Sequence, residues 1–162
     1  MTTVLFNRRT LLVAGSTFLA TGAAGLLLPA RAEGLAPTAS MPGGANNYRK
    51  GAATVERIGK GGFWMSGTVR RAGDGAPLAG QRIQIWAHTV EGQEHEPQSH
   101  GATLTDKDGK FRLEMPQIIP IFGQPHGHLA YDSGEFKTVF LRPVMKSAKE
   151  TSLEAHFVLQ PA

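Results

Sequence analysis

The pattern of apolar and polar positions changes character twice along the chain. Residues 11–28 are mostly apolar, diluted by Gly, Ser, Thr and Ala. Residues 33–52 are rich in Gly, Pro, Ala, Ser and Asn (Pro37, Pro42-Gly43-Gly44, Asn46-Asn47) and carry no periodicity, which reads as a linker or an extended arm. Tyr48 lies in that stretch, with no partner that the sequence identifies. From about Ala53 short apolar runs alternate with turn signals. Period-two alternation predicts strands at residues 62–70, 82–88, 100–105, 110–115, 136–141 and 153–159, with the run around His126 and His128 supplying another. The stretch 82–88 carries bulk on both faces (Ile83 and Ile85 against Gln84, Trp86 and His88), as a central strand does. No segment shows helical periodicity. The expected fold is an all-β, antiparallel β-sandwich of seven or eight strands over residues 53–162.

The connections carry signals of their own. Residues 72–80 form a dense turn segment of Gly, Asp, Pro and Ala. Residues 89–99 are polar and hold His95 and three glutamates, a long loop of the kind that carries function on a compact sheet. Asp106-Lys107-Asp108-Gly109 has the opening spacing of a calcium loop, but the chain then enters a strand without the later acidic ligand, so tight-turn chemistry is expected. Residues 116–122 are apolar and broken by Pro116 and Pro120, an irregular cover for one end of the core.

Composition narrows the function classes. At 162 residues there is room for one domain, and the absence of cysteine excludes disulfides and thiolate metal sites. The net charge of +4 is concentrated at the start: Arg8, Arg9 and Arg31 are the only charged residues among the first 32. What remains is close to neutral, so nothing supports nucleic-acid binding. The Arg8-Arg9 pair ahead of Leu11-Leu12, the weakly apolar middle and the ending Leu28-Pro29-Ala30-Arg31-Ala32 have the three parts of a secretory signal, here of the twin-arginine type. Cleavage after Ala32 is expected. That implies the twin-arginine export machinery as a partner, a periplasmic or secreted location, and no membrane span in the mature chain. The alternative is an uncleaved anchor, since residues 11–28 are nearly long enough to span.

The candidate chemistry centres on Pro125-His126-Gly127-His128. Side chains alternate along a strand, so His126 and His128 share a face and form a ready pair of metal ligands. The plainer reading is two polar residues on a solvated face. Five of the six histidines lie between residues 88 and 128, in segments that a sandwich brings together.

The order of features resembles the intradiol ring-cleavage dioxygenase core. Gly67-Thr68-Val69, Gly75-x-Pro77-Leu78-x-Gly80, Ile83-x-Ile85-Trp86, Thr105-Asp106-Lys107-Asp108-Gly109-Lys110-Phe111, a proline-containing segment and Pro125-His126-Gly127-His128 follow one another as in that family. Transthyretin-like sandwiches share the opening but not the histidine ending. The resemblance covers roughly residues 62–142. It implies a β-sandwich, a non-haem iron site, and insertion of both atoms of dioxygen into a catechol between its hydroxylated carbons. His126 and His128 then match the family's histidine ligands.

The family's two tyrosine ligands have no counterpart: the position eight residues past Trp86 is Glu94, and the region before the histidines offers Phe122. His126, His128 and Glu94 would instead make a two-histidine, one-carboxylate set suited to ferrous iron. His95, His100 or His88 could replace or supplement Glu94, and an all-histidine site would accept copper, zinc or iron. Three functions follow as alternatives. They are an exported oxygenase acting on a small phenolic or catecholic compound, a non-catalytic metal-binding sandwich, and a sandwich that binds protein or ligand without metal.

Overall fold

The computed structural model describes residues 34–162. The signal-peptide reading falls on residues 1–32 and lies outside them. Among the described residues seven strands form two sheets: β1 (Phe63–Arg71), β2 (Arg82–Ala87), β3 (His100–Leu104), β4 (Lys110–Met115), β5 (Gly127–Tyr131), β6 (Val139–Leu141) and β7 (Ser152–Leu159). One sheet has the order β4-β1-β7 and the other β3-β2-β5-β6. Among the described residues no helix is long and apolar enough to cross a membrane.

Alternation places the core between the sheets. Phe63, Met65 and Val69 of β1, Phe111 and Leu113 of β4, and Phe157 and Leu159 of β7 meet Ile83 and Ile85 of β2 and Leu129 and Tyr131 of β5. Each such side chain contributes roughly 1.5–3 kcal/mol by leaving water, so register is set here: a slip by one residue would turn the whole set outward. Tyr131 belongs to this face, opposite to His128, and its hydroxyl accepts the Phe136 amide. Four of the five strand pairings are antiparallel. β7 is the exception, lying parallel to β1 with Ser152 opposite Trp64, because the chain crosses from the second sheet and re-enters beside the start of β1. Gly67 sits opposite Ala155 in this pairing, and a Cβ there would lie 1.6 Å from the Ala155 carbonyl oxygen.

Turn chemistry explains Asp106. Its carboxylate accepts the backbone amides of Asp108 and Lys110, both at 2.9 Å. Those bonds, with the Lys110 amide first among the causes, hold its carboxyl below the usual range.

The outer face of the β3-β2-β5-β6 sheet is covered as well. Residues 40–52 run across it as an arm, which arrives past β7 of the other sheet, where the Thr38 amide donates to the Val158 carbonyl at 2.9 Å. Leu35 pairs with Gly73, the Met41 amide donates to the Phe140 carbonyl at 2.8 Å, and the far end meets β3 where the Ala102 amide donates to the Ala53 carbonyl at 2.8 Å. Tyr48 packs on Trp86 and Phe140, with ring centroids 5.8 and 5.0 Å away, and its hydroxyl donates to Asp132. The bulk on both faces of β2 therefore has two causes, the opposite sheet inside and the arm outside.

Candidate metal centre

Three rings in register build the floor of the site. Trp86 of β2 faces His100 of β3 on one side and His128 of β5 on the other. The rings stack nearly parallel, at 5.5 Å and 7° for His100 and 5.2 Å and 10° for His128. The indole N–H donates to the Asn46 carbonyl of the arm at 2.9 Å. His126 lies just before β5 on the same side as His128, as alternation requires, and the two rings meet edge to face at 5.0 Å.

Glu94 comes from the loop between β2 and β3. That loop is folded by the reciprocal Thr89–Gly92 bonds and ends in one turn of 3-10 helix, Pro97–Ser99. Glu94 Oε2 lies 3.3 Å from His128 Nε2 and 3.7 Å from His126 Nε2, and the three ligand atoms all fall within 4.8 Å of one another. The side chains are 14%, 0% and 5% exposed for Glu94, His128 and His126. Glu94 Oε1 is taken up by the side-chain amide of Asn47, at 2.6 Å.

Hydrogen bonds set the histidine tautomers. His128 Nδ1–H donates to the Gly44 carbonyl at 3.1 Å, which leaves Nε2 with its lone pair toward Glu94. His126 Nδ1–H donates to the Gln124 carbonyl at 2.9 Å, with the same consequence. Arg142 Nη2 stands 3.3 Å from that Nδ1. A nitrogen that already donates cannot also accept, so the guanidinium acts on this ring through its charge. Burial, chiefly, pushes His128 below its ordinary pKa, against the Gly44 bond and the Glu94 charge, which favour the proton. His128 is thus neutral near pH 7. Its Nε2 and Glu94 Oε2 are both buried, and neither has a hydrogen-bond partner among the described residues. They sit in contact with no proton to share.

This arrangement fits a metal ion. Bonds of about 2.1 Å place neighbouring ligand atoms about 3.0–3.4 Å apart; the Glu94–His128 separation of 3.3 Å falls in that range and the Glu94–His126 separation of 3.7 Å lies above it. Two neutral imidazoles and one carboxylate suit a divalent first-row ion. Ligating histidines commonly donate their other ring N–H to a carbonyl, as His128 does to Gly44 and His126 to Gln124, which fixes each ring's orientation.

Of the candidates read from sequence, the structure brings together His126, His128 and Glu94 and leaves out His88, His95 and His100. His100 is no ligand in this arrangement because both ring nitrogens are engaged. Nε2–H donates to the Glu94 carbonyl at 2.8 Å, and Nδ1 accepts from Gln84 Nε2 at 3.4 Å. Its role is to hold the backbone of Glu94. Burial, the largest cause, lowers its pKa and keeps it neutral. His95 is exposed, between the half-buried Glu94 and Glu96. His88 is half-buried with its Nδ1 unpartnered, but stands outside the group. Asn47, Gly44 and Arg142 were not legible as parts of the site. Only the Pro42-Gly43-Gly44 and Asn46-Asn47 turn residues hinted at anything built in the arm.

No protein-family model matches the chain and no curated protein matches it in sequence. Solved structures do match in fold. The dioxygenase domain of a dioxygenase–carbohydrate-binding fusion protein from Streptomyces sp. SirexAA-E superposes with a TM-score of 0.60 at 15% identity, over 78% of this chain and 100% of that one. Hydroxyquinol 1,2-dioxygenase from Pseudomonas putida DLL-E4 gives 0.59 at 12% identity, over 79% and 68%. For 3-chlorocatechol 1,2-dioxygenase from Rhodococcus opacus 1CP the values are 0.56 and 15%, over 80% and 74%. The chain has the β-sandwich fold of these dioxygenases.

Proposed function

We propose that this chain is an exported, metal-dependent oxygenase acting on a catecholic or other small phenolic ring, with the metal held by Glu94, His126 and His128. One observation carries the reading: Glu94 Oε2 and His128 Nε2 are buried, unpartnered and 3.3 Å apart, with His126 Nε2 beside them. Leaving two such atoms unpaired costs stability unless a cation joins them. Non-haem ferrous iron suits the donor set best, with copper or zinc as alternatives. The ion would supply Lewis-acid binding of a catecholate and a meeting point for dioxygen.

The chain's own residues do the rest. Gly44 and Gln124 fix the two imidazole tautomers, His100 holds the Glu94 backbone, and Arg142 places positive charge beside His126 where an anionic substrate would gather. In the overall reaction one ring carbon–carbon bond breaks, both oxygen atoms end in the product, and the ring supplies the electrons, so no external reductant is needed. The missing tyrosines make this site different from the ferric tyrosinate centre that the resemblance implies. The leader supports twin-arginine export to the periplasm or beyond.

Cover over the site favours a second reading, a metal-holding sandwich without turnover, because His128 is fully buried beneath the arm. Elemental analysis of the exported protein and oxygen uptake with catechol, hydroxyquinol and 3-chlorocatechol separate the two. About one metal per chain, with uptake lost in His126→Ala and His128→Ala, supports the oxygenase. Metal without uptake leaves the second reading. A metal-free chain whose stability ignores chelator sinks both.

A further inference from the structure

The arm is more than a cover. Within residues 41–49, three backbone carbonyls receive side-chain N–H groups from the sheet beneath. Gly44 accepts from His128, Asn46 from Trp86, and Arg49 from Gln84, at 3.1, 2.9 and 2.8 Å. One side chain reaches back: Asn47 donates to Glu94 Oε1. Two of these four bonds end on proposed ligands, and a third on the ring stacked against His128.

Two backbone features show that the path is specific. Gly44 lies so close to β6 that a Cβ would come within 2.9 Å of the Phe140 backbone. Asn47 has φ +57, the left-handed conformation that asparagine tolerates better than most residues. An asparagine is needed there twice, for the backbone turn and for the amide.

We infer that residues 41–49 are a strap energetically coupled to the metal centre, with Asn47 the positioning residue that fixes Glu94 for coordination. The inference rests on the metal reading above and adds the coupling to it. By holding Oε1, Asn47 leaves Oε2 as the single carboxylate oxygen directed at both imidazoles. By accepting from Nδ1, Gly44 keeps the His128 lone pair on Nε2. Coupling is reciprocal: if the closed strap tightens metal binding, metal must hold the strap closed by the same factor. A ring-sized substrate reaches the metal only when the strap lifts. The strap suits that task, since most of its residues are exposed and its grip is a few polar bonds plus Tyr48.

The test titrates zinc ion, a redox-inert probe, into the metal-free full-length mature chain and its Asn47→Gly variant, which keeps the left-handed turn and deletes the amide. Asn47→Gly is expected to weaken zinc binding about tenfold to a hundredfold while the metal-free chain still unfolds in one cooperative transition. Zinc should also slow amide exchange across residues 44–49 in the wild type. Tyr48→Phe, which loosens the strap at Asp132 without touching a ligand, should weaken zinc in the same direction. Equal zinc affinity in all three proteins, or strap exchange indifferent to zinc, overturns the coupling and leaves the metal site standing. A wild type that binds neither zinc nor ferrous iron overturns both.

Discussion

Replacing Glu94 by glutamine should make the metal-free protein more stable and the metal-loaded protein less so. At about pH 8 His128 is neutral, so its Nε2 and Glu94 Oε2 present lone pairs to each other across 3.3 Å. Neither buried atom has another partner. Each unpaired buried polar atom costs about 1–3 kcal/mol. In Glu94→Gln the side-chain amide nitrogen can take the Oε2 position and donate to His128, while the remaining oxygen keeps its bond from Asn47. Both orphans are then satisfied by one proton. The metal-free variant should gain about 2 kcal/mol or more, the lower bound for two such atoms, or roughly 4 °C in Tm for each kcal/mol in a domain of this size.

Metal reverses the order. An ion present at a hundred times its Kd stabilises the wild type by about 2.7 kcal/mol. The variant, with its anionic ligand gone, should gain little. The assay is thermal or urea unfolding of both proteins, in chelator and then in excess zinc. A Glu94→Gln protein that melts at or below wild type in chelator refutes the orphan argument. One that gains as much as wild type from zinc refutes the role of Glu94 as a ligand.

Other consequences are separately measurable. Burial holds His100 and His128 below the ordinary value of 6.5, so the unfolded chain takes up these protons first. Metal-free stability should therefore be complete above about pH 6.5 and fall as the pH drops below it; a melting temperature that is flat from pH 7.5 to 5 contradicts this. Burial and the bond to Asp132 push Tyr48 up to about 12. Its contribution to stability should persist below pH 10 and be lost as the pH rises toward 12, and ultraviolet titration should lose that late phenolate step in Tyr48→Phe. Gly67→Ala sets a Cβ against the Ala155 carbonyl oxygen at 1.6 Å. No side chain can yield there, so unfolding titration should show a loss of about 3 kcal/mol or more, with the β1–β7 pairing broken.

Much of the sandwich is legible because alternation is a local property. The positions that face inward on β1, β4 and β7 can be read off residue by residue, and the His126–His128 pair follows from the same rule. Asp106 was legible as turn chemistry for the same reason. The parallel placement of β7 was not, since nothing local distinguishes a strand's direction. The choice among Glu94, His95 and His100 also lay beyond the sequence. All three sit in or beside one polar loop. What separates them is which nitrogen or oxygen the fold has already used: His100 spends both ring nitrogens on Gln84 and the Glu94 carbonyl, whereas Glu94 keeps one oxygen free.

The arm shows why a central strand with two bulky faces can be read correctly and still mislead. Bulk on the outer face of β2 implies a covering layer, and in most sandwiches a covering layer is another sheet or a helix with its own apolar stripe. Residues 40–52 have no such stripe, so the pattern gives no reason to place them there. They cover the face by a different principle. Trp86, Gln84 and His128 each bring a side-chain donor to the surface of the sheet, and an irregular chain with unpaired carbonyls is the natural acceptor. A helix or strand would have spent those carbonyls on itself. An irregular arm therefore seals a polar face that regular structure would leave unsatisfied, and can be lifted at the cost of a few hydrogen bonds exchanged with water. A metal held at Glu94, His126 and His128 would then be shielded while the arm lies down and reachable by a ligand that displaces it.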